Sequence, residues 1–229
     1  MKKSHIATWL VFLLLIPATL YLGTKLTGKS YYITATLIIL ELMLPFFLAF
    51  EGRKVQAREL VLIAVMCALA IVGRVAIPMP NFKATFAIII LAGIAFGPET
   101  GFMVGAMTAF ISNFFYGQGP YAPWQMIGYG AGGMLAGFLF RKGWLPRNRW
   151  IMAPFGFLVV ILWIGPIMDI SNLFLMFDTV SGKGLLLSLL SGFPINFSNG
   201  ICTALVLFLF GKPLLEKLDR VKLKYGMLE

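Results

Sequence analysis

The residues of this sequence best equipped for chemistry are amides, phenols and a few charged groups, and they fall into four short groups. Arg74, Asn81 and Lys83 form the first; Asn113, Tyr116, Gln118, Tyr121, Trp124 and Gln125 the second; Asp169 and Asn172 the third; Asn196 and Asn199 the last. Amides and phenols hydrogen-bond, and aromatic rings offer flat apolar walls, so the set suits recognition of a sizeable organic ligand. It does not suit catalysis. The single histidine, His5, stands near the start of the sequence, and the cysteines Cys67 and Cys202 lie in apolar runs without CxxC spacing. They read as buried free thiols. There is no HExxH, no GxxxxGK[ST] and no cluster of metal-ligating side chains, so neither a metal nor a resident cofactor is expected.

Something must hold these groups at a common depth. With 229 residues, 59% hydrophobic and 12% charged, the sequence is too apolar, in runs too long, for an ordinary soluble domain. The runs do not alternate as barrel strands would, so the expected class is all-α, a polytopic membrane helix bundle. Apolar spans are read at 6–23, 32–50, 58–77, 84–97, 100–116, 122–140, 150–170 and 186–210. The first resembles a signal peptide in its flanking Lys2 and Lys3, but it is long and lacks a small-residue cleavage site. Span 84–97 is short for a bilayer and must tilt or be sheltered by neighbours.

Charge placement orients the spans. Lys2, Lys3, Arg53, Lys54, Arg58, Arg141, Lys142, Arg147, Arg149 and the tail residues Lys212, Lys217, Arg220, Lys222 and Lys224 all fall on one side of this topology. Only Lys25, Lys29, Lys83 and Lys183 fall on the other. By the positive-inside rule both termini are cytoplasmic, and the polar groups gather at the outside ends. The net charge of +10 is thereby explained by membrane topology, not by nucleic acid. Trp144, Trp150, Tyr31 and Tyr32 suit an interfacial belt.

The stretch Ala57 to Lys83 carries two further signals. Ala64 and Ala68, four apart with Ala70 beside them, offer a small-residue face that lets another helix approach closely. Packing within the chain's own bundle is the commoner use of such a face. Arg74, near the end of the same helix, either snorkels to the interface or enters a polar cavity. Glycines at four-residue spacing (Gly93 and Gly97, Gly101 and Gly105, Gly128 and Gly132, Gly133 and Gly137) predict close helix crossings. Glu41, within the second span, is protonated or paired. In the tail, Leu214, Leu215, Leu218 and Val221 share one face, as in an interfacial or a solvated helix. Glu41, Arg74 and Asp169 make no ladder for ion coupling, which disfavours a self-sufficient secondary carrier.

The ordered set AxxxA (Ala64, Ala68), NFK (Asn81–Lys83), GPETGFMVGAMTAFISNFF and GQGPYAPWQMIGYG resembles the substrate-binding S components of energy-coupling factor (ECF) vitamin transporters, over residues 58–211. The resemblance implies a six-helix core at 58–211, preceded by two extra membrane helices in 1–57 and followed by a cytoplasmic amphipathic tail at 212–229. It implies a non-catalytic subunit of a bacterial cell-membrane importer that captures a vitamin outside. Ala64 and Ala68 would pack on a transmembrane coupling subunit, while two cytosolic ATPases supply energy. Similarity to the cobalamin-specific members favours cobalamin as the transported ligand, with riboflavin or pantothenate as alternatives.

Overall fold

The computed structural model describes residues 57–75, 81–119, 121–176 and 181–224, with isolated positions between 15 and 44. The expected spans 6–23 and 32–50 lie outside the described residues apart from those positions. So do Tyr31, Tyr32, Pro78, Pro80 and residues 225–229. Two of the isolated positions do show contacts. The Thr19 hydroxyl donates to Glu41 Oε1, and Met43 packs with Phe102 and Ala106.

Among the described residues all regular structure is helical. In chain order the elements are α1 (Ala57–Val75), α2 (Thr85–Phe96), α3 (Pro98–Tyr116), α4 (Ala122–Arg141), α5 (Arg149–Val159), α6 (Gly165–Met176), α7 (Gly182–Val206) and α8 (Lys212–Lys224). A π turn, Val160–Ile164, joins α5 to α6, and another, Leu207–Gly211, joins α7 to α8, so the eight segments form six continuous rods. The chain is an all-α membrane bundle. Arg149–Leu173 and Gly182–Lys224 have mean hydropathies of 2.2 and 1.6 and are long enough to span a bilayer.

The short helix α2 is the centre. Its sequence TFAIIILAGIAF is apolar on every side, and such a helix is stable only when surrounded. Residues Thr85 to Ala95 are buried almost without exception. Its 12 residues reach about 18 Å, well short of a bilayer, and the neighbours shelter its ends. At its end Gly97 adopts φ 102°, a left-handed region that disfavours a side chain, and Pro98 starts α3 at once. Gly97 is therefore a corner residue, and its main chain also lies against Gly137 of α4.

The other glycines do what their spacing predicts. Gly93 of α2 and Gly101 of α3 both back onto the Gly133 main chain of α4, Gly105 sits on the backbone of Tyr129 and Gly130, and Gly137 meets Gly97 and Pro98. A β-carbon at any of them would press on backbone, so α2, α3 and α4 form one close-packed slab. Gly128 and Gly132 face the other way, toward Ile167 and Met168 and toward Ile164 and Val159. Asn148 caps α5 by accepting from Trp150 N at 2.7 Å, and Ser181 caps α7 by accepting from Gly184 N at 3.0 Å.

The tail departs from its expected form. Its α8 continues from α7 and docks on the bundle: Leu215 is buried and Leu218 packs on the core, while Leu214 stays exposed. Lys222 Nζ donates to Ala95 O at 2.5 Å, Arg147 donates to Ile94 O at 3.0 Å, and Arg147 pairs with Asp219 at 3.4 Å. Two basic side chains thus satisfy carbonyls at the end of α2 that have no helical partner.

Candidate ligand-binding cavity

A cavity of about 640 Å³ opens within one end of the bundle. Its wall is built from the end of α1 (Arg74), residues 81–86, the end of α3 (Tyr116), the start of α4 (Tyr121, Gln125, Tyr129), the π turn with α6 (Val160 to Asn172) and the middle of α7 (Leu187 to Asn199). The opposite end carries Arg141, Lys142, Arg147, Arg149, Lys212, Lys217 and Arg220, because α4 runs from the cavity to Arg141 and α7 runs from the cavity into α8.

Arg74 is held in place. Its guanidinium donates to Ser112 Oγ and, at 3.1 Å, to Asn113 Oδ1, and lies 5.0 Å from the Tyr116 ring centre and 5.7 Å from that of Tyr129. The Tyr116 hydroxyl in turn donates to Arg74 O at 2.8 Å. Snorkelling is excluded, since the side chain turns inward to α3 and the cavity. The last carbonyls of α1 are stitched to its neighbours too: Thr85 Oγ1 donates to Ala70 O at 3.1 Å and Ala84 N to Gly73 O at 3.1 Å. Asn81 enters the wall with φ 57°, a conformation that asparagine tolerates better than most residues.

The far wall is an Asp–amide–hydroxyl patch. Asn196 Nδ2 donates to Asp169 Oδ2 at 2.8 Å, and Ser188 Oγ donates to Asp169 O at 2.6 Å. The helices approach so closely that a β-carbon on Gly192 would collide with the Asp169 carboxylate, and one on Gly165 with the Asn196 amide. The π turn lies immediately before α6; by widening the helix it resets the register that aims Asp169 and Asn172. Gln125 Oε1 and Asn199 Oδ1 are buried without a hydrogen-bond partner among the described residues, leaving acceptors in the wall that a bound polar molecule can satisfy. Between the two polar walls stand Phe86 and Tyr129, edge to face at 4.9 Å, with Tyr116 and Tyr121 nearby.

Ten of the thirteen residues singled out from sequence line this cavity: Arg74, Asn81, Lys83, Tyr116, Tyr121, Gln125, Asp169, Asn172, Asn196 and Asn199. Three stand elsewhere. Asn113 is fully buried behind the wall, where it holds Arg74. Gln118 folds back to donate to Phe110 O at 2.9 Å, and Trp124 packs against the cluster of Met43, Phe102 and Ala106. Sequence reasoning missed Thr85, Phe86, Tyr129, Met168, Ser171, Ser188 and Ser191. Their signal was helical spacing: Tyr129 lies one turn beyond Gln125, and Ser188, Ser191, Ile195 and Asn199 follow one face of α7.

The small-residue face has a definite position. Ala64 and Ala68 are exposed, among the exposed Leu60, Val61, Val65, Leu69 and Val72, whereas Ala70 is fully buried on the opposite side. Among the described residues nothing buries the two alanines, and Ala70 does not belong with them.

The fold is that of an integral-membrane helix bundle with a polar, aromatic-lined cavity at one end. The family model for the "ECF-type riboflavin transporter, S component" matches residues 54–216, most of the chain. The chain belongs to that family and is an S component of an ECF-type vitamin transporter. No curated protein and no solved structure matches it.

Proposed function

We propose that this subunit captures riboflavin at the outer membrane face and delivers it inward in concert with a transmembrane coupling subunit and two cytosolic ATPases. The observation that carries the substrate is the cavity itself. Drug-sized molecules occupy pockets of roughly 300–1,000 Å³, and a planar heterocycle with a polyol chain suits a cavity of about 640 Å³. Ring faces of Tyr116, Tyr121, Phe86 and Tyr129 suit a flat heteroaromatic system, and the serines and amides of α6 and α7 suit hydroxyl groups. The family's printed substrate agrees. Cobalamin, favoured by the sequence resemblance, gains no support from either observation.

The basic end faces the cytoplasm by the positive-inside rule, which turns the cavity outward. The exposed Ala64 and Ala68 present the coupling face on α1, the helix that also bears Arg74 at the cavity. Uptake of labelled riboflavin by cells expressing the chain with and without a coupling module tests the reading. Uptake only with the module supports it; robust uptake by the isolated chain contradicts it.

A further inference from the structure

At the basic end the hairpin between α4 and α5 displays cations on aromatic rings. Lys142 Nζ lies 4.0 Å from the Phe138 ring centre and 5.2 Å from that of Trp144, and these two rings meet edge to face at 5.4 Å. Arg149 lies 5.7 Å from the Phe208 ring centre, and Phe208 meets Trp150 at 4.9 Å. Arg147 between them is different, since it turns inward to Asp219 and Ile94 O. Lys142 and Arg149 are exposed, and no carboxylate among the described residues pairs with either.

The rings set the depth. Trp144 and Trp150 are 63% and 70% exposed, and the neighbouring Leu158, Leu209 and Phe210 are also exposed, so this surface stands at the boundary of acyl chains and headgroups. A cation stacked on such a ring keeps its remaining N–H groups toward the headgroup layer. We infer that Lys142, seated on Phe138 and Trp144, and Arg149, seated on Phe208, form a docking surface for anionic phospholipid headgroups of the leaflet at this end. Charge complementarity selects the anionic lipid, and the aromatic frame places the contact at headgroup depth instead of on a soluble acidic partner.

The test uses the purified full chain in nanodiscs of phosphatidylcholine alone or with phosphatidylglycerol, read by thermal unfolding and by native mass spectrometry of retained lipid. Phosphatidylglycerol is expected to raise the unfolding midpoint by about 2–4 °C and to be retained on the protein. The double variant Lys142→Gln/Arg149→Gln should lose both effects, while Lys183→Gln, which removes a charge at the opposite end, should keep them. Equal behaviour in the two lipid compositions overturns the inference. So does a double variant that retains phosphatidylglycerol as the parent does, or one that loses only copurification with a coupling subunit.

Discussion

Asn196 of α7 donates a 2.8 Å hydrogen bond to the Asp169 carboxylate of α6, which lies so close to Gly192 that a β-carbon there would displace it. The pair joins two membrane helices and forms one wall of the ligand cavity, so its loss should be felt in both stability and binding. Asn196→Ala is expected to cost about 1–2 kcal/mol of stability and to weaken ligand binding roughly tenfold. Asn196→Asp should weaken binding further, because two carboxylates would then face each other. Thermal unfolding and ligand titration of the purified variants check both. Unchanged binding in Asn196→Asp would remove this pair from the site.

Arg74 gives a second test. Its two side-chain acceptors lie on α3 and its ring partners on α3 and α4. Arg74→Lys keeps the charge, but a compact ammonium gives up the planar guanidinium that bonds Ser112 and Asn113 while lying over the Tyr116 and Tyr129 rings, so it should lose most of what Arg74→Gln loses. The expected loss in ligand affinity is about tenfold or more for both, measured by calorimetry. Full retention by Arg74→Lys would show that charge alone matters.

The helix slab predicts a contrast between glycines. Gly133→Ala places a methyl against the main chain of Gly101, which cannot yield, and should cost about 3 kcal/mol or prevent folding. Gly128→Ala meets only side chains, the terminal methyl of Met168 at 3.2 Å and a methyl of Ile167 at 3.3 Å, and should cost less than Gly133→Ala, about 1 kcal/mol. Thermal midpoints in detergent rank the two.

Ala64→Trp and Ala68→Trp fall on an exposed face away from the cavity lining. They should leave ligand binding unchanged while reducing copurification with the coupling subunit and abolishing uptake. Normal copurification of the double variant would remove the coupling role from this face.

Much of this was legible in the sequence because membrane helices declare themselves by composition. The span read at 122–140 emerged as Ala122–Arg141, and the glycine spacing located the α2–α3–α4 slab. What spacing cannot show is which way a turn faces. Trp124 and Gln125 are adjacent, yet one packs outward on Met43 and Phe102 and the other lines the cavity. The π turns Val160–Ile164 and Leu207–Gly211 had no counterpart in the residue pattern that was read. Gly97 shared the spacing of a crossing face and also serves as a corner, because Pro98 follows it. The choice of vitamin lay beyond residue patterns altogether.

The most direct test of that choice is calorimetric titration of the purified chain with riboflavin and, separately, with cobalamin. Saturable one-to-one riboflavin binding, with no heat from cobalamin, is the result predicted here; tight cobalamin binding with none for riboflavin would contradict it.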